Sequence, residues 1–431
     1  MRLRVVVVRG TLIGLVSVMA LAIAVLAIAG GAQAPGVSPT PADLLKDPAV
    51  HAALDAAKAS ERQTVEDQIR FCEIPAPSFK EEARGRELQR VFQQLGLQNV
   101  RVDQVGNVLG HHPGAAPRPH VVIAAHLDTV FPEGTNVKVK REGSVLHGPG
   151  IGDDCRGLAV LVAIVREMKN AKVQTPGSIT FVANVGEEGL GDLRGVKELF
   201  NNTLKDQIDR FVSIDGTGVH VTNVAVGSHR YRVTFKGPGG HSFGAFGMAN
   251  PMGAMGRAIA RIQEVQVPRQ PKTTFNVGRI GGGTSVNSIP SEGWMELDMR
   301  SSDPASLSAV DANIQKAIDA AVTEENARWG KPGTITVAKE LVGDRPAGST
   351  PESSPIVRSA LAAATVLGFT ANLGEGSTDS NIPMSLKVPA VTIGGGGRGR
   401  DAHALTESFD TTDAWMGTQH ALLLTVALAQ R

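Results

Sequence analysis

Short runs of apolar residues, each ended by glycine or a charged residue, recur in the first and last parts of the chain. Runs of this kind are typical of strands buried on both faces of a sheet. They predict strands at residues 120–125, 178–185, 210–214 and 388–393. Apolar residues at helical spacing predict helices between about 41 and 97, at 157–168, 193–200 and 354–367, and from about 411 onward. Strands that alternate with helices favour an α/β fold with a doubly wound, mostly parallel sheet.

The middle of the chain has a different order of elements. Its pattern predicts strands at 230–236, 273–280, 294–301 and 334–337, with helices at 251–263 and 307–324. This βαββαβ order describes a ferredoxin-like α+β unit. We therefore expect one α/β domain, formed by residues 35–226 and 345–431, that is interrupted by an inserted domain at 227–344.

The first 34 residues have the pattern of an export signal. Arg2, Arg4 and Arg9 precede an uncharged apolar run at 12–28, and Ala32-Gln33-Ala34 offers a cleavage site of small residues. We expect a signal peptide that is cleaved after Ala34, and an exported, periplasmic or extracellular protein with no membrane attachment afterwards. The alternative is a retained membrane anchor, because the apolar run is at the short edge of what spans a bilayer.

Composition narrows the class of protein. The chain has 431 residues, of which 42% are hydrophobic and 20% charged, so it has enough apolar side chains for a sizeable core. Its formal net charge of +1 gives no electrostatic signature of nucleic-acid binding. The two cysteines, Cys72 and Cys155, are too few for a disulfide framework. Export permits a bridge between them, and two free buried thiols are the other possibility.

Residues that bind metals follow the predicted strands. They are His126 and Asp128 after the first strand, Asp153 and Asp154 before the next helix, Glu187 and Glu188 after the second strand, Asp215 after the third and His403 after the fourth. The carboxyl ends of parallel strands share one edge of the sheet, where the binding crevice lies. Carboxylates crowded there would repel one another unless divalent cations were present. Imidazole and carboxylate are the ligands of open, catalytic zinc sites.

With these residues in place, the sequence resembles the co-catalytic zinc hydrolases, the family of peptidase T, the cytosolic dipeptidases, aminoacylase and bacterial glutamate carboxypeptidase. The resemblance covers nearly the whole chain after the first 34 residues. It is carried by HLDTV at 126–130, GIGDD at 150–154, EEG at 187–189, Asp215, GHS at 240–242, LDMR at 297–300, AHALTE at 402–407 and the segment 73–81. The motifs are specific in combination.

The resemblance implies two divalent cations per chain, with zinc as the expected metal. The implied ligands are His126 and Asp215 for one ion, Glu188 and His403 for the other, and Asp153 as the bridge between them. Asp128 is implied to hydrogen-bond the far nitrogen of His126 and so to fix its tautomer. Glu187 is implied to be the general base, which takes a proton from the metal-bound water and returns it to the leaving amine.

The inserted domain resembles the lid and dimerisation module of the same family. The resemblance implies a homodimer through residues 227–344 and a role for His241 in stabilising the oxyanion, often in the partner's active site. Asn287 and Arg300 match positions that contact polar groups of the substrate, and arginine suits a terminal carboxylate because it binds in a bidentate manner.

Two features bear on the substrate. Asp215 stands where aminoacylases and glutamate carboxypeptidases usually have Glu, which favours the aminopeptidase, tripeptidase and dipeptidase branch and small peptides with a free amino terminus. N-acyl amino acid deacylation, or glutamate carboxypeptidase-like cleavage, on the same metals is the alternative. Arg398 and Arg400, shortly before His403, add positive charge that favours an acidic substrate.

Two other classes of function compete with this interpretation. A G-x-S-x-G pattern at 240–244 would make Ser242 the nucleophile of a serine hydrolase, with Asp379 and His403 following in triad order. However, the predicted strand ends near Lys236, so the required strand, turn and helix do not follow one another. A non-enzymatic binding protein of the same fold is disfavoured because every expected ligand and Glu187 are present.

Overall fold

The structure is a computed structural model, and it describes residues 39–329 and 334–430. The predicted signal peptide, residues 1–34, lies outside the described residues. Within these two ranges, no helix is both long and apolar enough to cross a membrane.

Eleven α-helices are present in the described ranges. They are α1 (Pro41–Leu44), α2 (Pro48–Ala59), α3 (Glu61–Cys72), α4 (Glu82–Leu95), α5 (Cys155–Asn170), α6 (Arg194–Glu198), α7 (Pro251–Gln263), α8 (Pro304–Arg328), α9 (Pro355–Val366), α10 (Asn381–Ser385) and α11 (Trp415–Leu428). Several begin with a proline that follows a capping side chain; Asp47, Asn250 and Asp303 each accept a hydrogen bond from the first turn of their helix. The sequence pattern predicted the start of α7 at Pro251, but it placed that of α8 at 307, after its actual start at Pro304.

The strands are β1 (Gln98–Val102), β2 (Val108–His112), β3 (His120–His126), β4 (Lys140–Glu142), β5 (Val145–His147), β6 (Ser178–Asn184), β7 (Arg210–Ile214), β8 (His220–Ala225), β9 (Gly227–Lys236), β10 (Gly240–His241), β11 (Thr273–Gly282), β12 (Ser288–Ile289), β13 (Glu292–Ser301), β14 (Thr336–Arg345), β15 (Gly348–Ser349), β16 (Asn372–Gly376), β17 (Ala390–Ile393), β18 (Arg398–Arg400) and β19 (Ser408–Asp410). Nine of them form one central sheet.

The central sheet has the order β1-β2-β6-β3-β7-β17-β8-β15, with β16 beside β8. Its middle strands β6, β3, β7 and β17 are parallel, and antiparallel pairs lie toward both edges. Along β3, Val121 and Ile123 pack into the core beneath α5 and α11, whereas Val122 and Ala124 pack against Val196 on the opposite face. Helices therefore cover both faces, which confirms the predicted doubly wound α/β fold.

The inserted domain is the predicted ferredoxin-like unit. Strands β11, β13, β9 and β14 form an antiparallel sheet in that order, so the fourth and first strands of the unit are neighbours. Helices α7 and α8 pack on one face of it around Val233, Met295 and Ile314. This cluster is separate from the core of the central sheet, and β14 ends at Arg345, where the chain returns to the first domain.

The sequence pattern missed the edges of the central sheet. Strand β1 is largely solvent-exposed and polar, and β2 ends in His111 and His112, so neither has the apolar run of a buried strand. The predicted helix at 193–200 is α6 followed by a π-helical turn, Leu199–Thr203. The C-terminal helix begins at Trp415, later than predicted, because β19 and a turn occupy the residues before it.

Candidate metal centre

The carboxyl edge of the central sheet gathers the predicted metal-binding side chains. His126 is the last residue of β3, Asp215 follows β7, and Glu188 follows β6. Asp153 lies just before α5, and His403 lies in the loop between β18 and β19. His403 has a φ of 67°, a left-handed backbone that is uncommon for histidine and that tends to occur at functional sites. Five separate segments thus deliver one side chain each to the same place.

Three groups of three side chains could each hold a metal ion: one is His126, Glu187 and Glu188, and the other two share one aspartate. His126, Asp153 and Asp215 form the first of these two, and Asp153, Glu188 and His403 form the second; in each, the ligand atoms lie within 4.8 Å of one another. Asp153 Oδ1 lies 3.0 Å from His126 Nε2, and Asp153 Oδ2 lies 3.1 Å from His403 Nε2. The two oxygens of Asp153 therefore face different histidines, as a bridging carboxylate requires. The two groups that share Asp153 coincide with the predicted ligand sets.

The chemistry of these residues fits divalent cations. Burial and the nearby Asp153 carboxylate raise the pKa of Asp215 to about 7. Burial likewise raises the pKa of Asp379, which lies nearby, to about 6. Glu188 Oε1 is buried without a hydrogen bond, although it lies 3.1 Å from His403 Nε2. Positive charge would remove the cost of crowding these carboxylates, and a nitrogen and oxygen ligand set without thiolate suits zinc in an open site.

Asp128 acts on its neighbours through two different groups. Its backbone carbonyl lies 3.0 Å from His126 Nδ1, whereas its carboxylate is 3.5 Å from that nitrogen. The carboxylate accepts hydrogen bonds from the backbone N–H of Glu187 and Glu188, both at 2.9 Å, and from Ser78 Oγ at 2.7 Å. Burial raises the pKa of Asp128, but these hydrogen bonds and His126 lower it to about 2. The carbonyl thus holds His126, while the carboxylate holds the segment that carries Glu187.

Glu187 is buried beside an arginine that sequence reasoning missed. Arg345, the last residue of β14, donates from Nη1 to Glu187 Oε1 at 3.0 Å and also donates to the Glu187 carbonyl. Both side chains are less than a tenth exposed. Burial raises the pKa of Glu187 well above its usual range, and the Arg345 guanidinium opposes that rise. No local motif marks Arg345, because 158 residues separate it from its partner.

Other buried carboxylates at this edge are structural. Asp154 accepts from the backbone N–H of His126 at 3.1 Å and of Gly157 at 3.0 Å, so it caps α5. Glu407 accepts from the backbone N–H of Gly150 and Gly152, both at 2.8 Å, and so holds the glycine-rich loop before Asp153. Asp154 belongs to the GIGDD motif and Glu407 to the AHALTE motif, so the sequence marked both residues without indicating these contacts. Cys72 and Cys155 are free and buried.

A cavity of about 510 Å³ opens over these side chains and is lined in part by Arg300. Arg300 Nε donates to Asp298 Oδ2 at 2.8 Å. His241 and Asn287 do not line this cavity: His241 ends β10, Asn287 directly precedes its partner strand β12, and both are exposed. Of the three substrate-contacting residues predicted in the insertion, the structure thus brings only Arg300 to the site within one chain. Arg398 and Arg400 are exposed and do not line it either.

The serine hydrolase alternative lacks its geometry. Ser242 follows a strand of two residues and lies in a run of turns, so there is no strand, turn and helix to expose a nucleophile. His403 is hydrogen-bonded to Asp153, whereas Asp379 accepts from Asn184 Nδ2 at 2.8 Å. The three residues do not assemble a triad.

The fold and this site together define a class, the hydrolases built on a doubly wound sheet with two adjacent metal positions and an inserted lid-like domain. A sequence model of peptidase family M20/M25/M40 matches residues 122–428, across both parts of the first domain and the insertion. The chain belongs to this family and is a hydrolase of peptide or amide bonds. A structure of a Bacillus subtilis member is described as that of a dinuclear metal-binding peptidase.

Individual relatives span most of the chain. YqjE of Bacillus subtilis is 26% identical over 354 residues, which cover 78% of this chain and 90% of that protein. A succinyl-diaminopimelate desuccinylase of Bordetella avium is 26% identical over 263 residues, 55% of this chain and 69% of that protein. The structure of a Staphylococcus aureus tripeptidase superposes with a TM-score of 0.70 at 22% identity and covers 86% of this chain and 98% of that one. At that identity, the tripeptidase shows the shared fold alone.

Proposed function

We propose that this chain is an exported, zinc-dependent exopeptidase that hydrolyses small peptides with a free amino terminus, as amino-, di- and tripeptidases do. The observation that carries the proposal is the pair of ligand groups sharing Asp153 directly beside the buried Glu187. A cavity of about 510 Å³ over them is of the size that takes a small ligand.

The ligand sets would give each metal ion one histidine and one carboxylate that it does not share. His126 and Asp215 would hold one ion and Glu188 and His403 the other, with Asp153 available to both. When bound, two such ions polarise the scissile carbonyl and activate the attacking water.

The protein's own groups do the proton transfer and the positioning. Glu187 Oε2 accepts the proton of the attacking water and then donates it to the leaving nitrogen, while Oε1 stays bonded to Arg345. The Asp128 carboxylate keeps the Glu187 backbone in place by accepting a hydrogen bond from its N–H. Arg300, at the cavity wall, binds the carboxylate of the substrate.

The choice of substrate rests on Asp215, which favours peptides with a free amino terminus. One observation favours a second candidate, deacylation of N-acyl amino acids: two of the relatives carry the names succinyl-diaminopimelate desuccinylase and N-acetylcysteine deacetylase. Both reactions would use the same metals and the same base, so only the substrate distinguishes them.

Two further parts of the proposal concern assembly and location. A homodimer through the insertion is supported by the exposed tip next to the paired strands β10 and β12, where Phe243 and Phe246 are 89% and 82% exposed. In such a dimer, His241 would serve the partner's cavity, which explains why it does not line its own. Export is supported by the pattern of the first 34 residues.

The test compares Glu187→Gln with Glu352→Gln, a change of an exposed glutamate in a turn outside the site. We expect the unchanged protein and both variants to retain two zinc ions per chain, and kcat on a free dipeptide to fall roughly 100- to 10,000-fold in Glu187→Gln only. Absence of bound metal, measured by elemental analysis after zinc loading, contradicts the metal site. Undiminished hydrolysis in Glu187→Gln contradicts its role as base. Preference for the N-acetylated dipeptide favours deacylation.

A further inference from the structure

The charged side chains that line the cavity differ in their hydrogen-bond and ion-pair partners. Asp153, Asp215, Glu188 and His403 belong to the ligand groups, and Arg345 is paired with Glu187. Arg230 and Arg300 are both paired with Asp298. Glu375 is different: its carboxylate has no hydrogen bond or ion pair with any residue in the described part of the chain. Among the described residues, Glu375 is the only carboxylate in the cavity wall that is neither a candidate metal ligand nor the proposed base.

The backbone around Glu375 is built to present this side chain. Strand β16 pairs with β8 in parallel, and the register shifts between Gly374 and Glu375. Such an irregularity changes the direction of a side chain and is frequent next to active sites. The Glu375 side chain is solvent-exposed at the cavity wall, so its carboxylate is accessible to a ligand.

The position of this segment relative to the base is fixed by hydrogen bonds. Ser377, two residues after Glu375, accepts a hydrogen bond from Arg345 Nη1 at 3.2 Å. The same nitrogen donates to Glu187 Oε1 at 3.0 Å. A single guanidinium therefore ties the strand that carries Glu375 to the proposed general base.

We propose that Glu375 forms a subsite for an ammonium group of the substrate. This inference rests on the proposed function and names a residue that decides which substrates that site takes. An unpaired carboxylate in a cavity attracts a cation, and a charge-assisted hydrogen bond to an ammonium group is stronger than one between neutral groups. Arg300 and Arg230 supply positive charge at the part of the wall contributed by the insertion, whereas Glu375 belongs to the central sheet. The site thus favours short zwitterionic peptides, with the amino group at Glu375 and the carboxylate at Arg300.

An ammonium group in a peptide has two sources, the amino terminus and a lysine side chain. Three probes separate them: alanyl-alanine, N-acetyl-alanyl-alanine, and N-acetyl-lysyl-alanine, in which only the side chain is cationic. Binding is measured by calorimetry on zinc-loaded Glu187→Gln protein, with and without Glu375→Gln, so that the readout does not depend on turnover. Glu352→Gln is the matched control, since it removes an exposed carboxylate elsewhere.

We expect Glu375→Gln to raise the Kd of alanyl-alanine about tenfold or more and to leave that of N-acetyl-alanyl-alanine unchanged. If Glu375→Gln weakened the binding of N-acetyl-lysyl-alanine alone, the assignment to the amino terminus would be overturned. Glu375 would then bind the ammonium group of a lysine side chain. Equal affinities with and without the substitution, or no binding of any probe, would overturn the subsite. Binding that depends on Glu375, combined with no cleavage of any probe by the unsubstituted protein, would overturn the proposed peptidase activity and leave the subsite standing.

Discussion

The carboxyl edge of the central sheet and the exposed tip of the insertion at β10 and β12 carry predicted functional residues in opposite settings. At the edge, His126 and Asp128 are no more than 1% exposed and are held by several hydrogen bonds. At the tip, Phe243 is 89% exposed and the nearby Val286 is 102% exposed. At the edge, a single chain supplies every candidate metal ligand, whereas the tip presents apolar side chains that no described part of the chain covers. An exposed apolar patch of this kind is typical of an interaction surface.

This difference predicts how the two regions respond to substitution. At the edge, a change removes a contact that the same chain supplies, so metal content and chemistry suffer directly. At the tip, a change leaves the folded chain intact and acts on association. Stability, metal content and oligomeric state therefore separate the two regions experimentally.

The largest expected effect is that of Asp153→Asn at the edge. Asp153 belongs to both ligand groups, so the substitution weakens both metal positions at once. Loss of the transition-state stabilisation that two metals supply, several kcal/mol, lowers kcat/KM roughly 1,000-fold or more. Metal content per chain and kcat/KM are the measurements, with Asp55→Asn on the exposed face of α2 as control. Full zinc content and activity in Asp153→Asn would contradict the bridging role.

The second prediction concerns the exposed phenylalanines at the tip of the insertion. The double substitution Phe243→Ser and Phe246→Ser should convert the proposed dimer to monomers in light scattering, because these side chains are exposed in the single chain. Activity should fall roughly 100-fold if the partner's His241 supplies an oxyanion donor. The free energy of unfolding of the monomer should change by about 0.5 kcal/mol or less.

Leu386→Ser is the control for that experiment, since Leu386 is 53% exposed on the first domain. A double variant that stays dimeric would show that the insertion associates through another surface, or that the dimer forms elsewhere. A monomer with unchanged activity would show that His241 does not act across the interface.

The sequence allowed prediction of the parts of the site that follow from strand periodicity. His126, Asp215 and Glu188 follow apolar runs whose direction in the sheet is set by the intervening helices, so their convergence at one edge could be inferred. The α/β and ferredoxin-like units were predictable for the same reason. The strand β1 was not, because its exposed residues give no apolar signal.

Contacts between distant segments could not be predicted in this way. Ser78 reaches the Asp128 carboxylate from the segment before α4, and Arg345 reaches Glu187 from the end of the insertion. Neither contact has a local pattern, because each depends on how whole elements pack. His241 and Asn287 both lie outside the cavity of their own chain. The resemblance implied this for His241, which it assigned often to the partner's active site, whereas no local signal indicated it for Asn287.

The smallest predicted effect lies where the insertion returns to the first domain, at Arg345. This residue ends the last strand of the insertion and bonds both the carboxylate and the carbonyl of Glu187, so it positions the base as the chain leaves the insertion. Arg345→Met should lower kcat about tenfold or more while KM and zinc content change little, as is usual for groups that orient a reacting residue. Arg345→Lys keeps the charge but loses the forked geometry of the guanidinium. Its kcat should therefore lie between those of Arg345→Met and the unsubstituted protein. Circular dichroism checks that both variants fold. If KM rises in both while kcat is unchanged, Arg345 binds substrate instead, and the insertion is linked to the edge by substrate contacts alone.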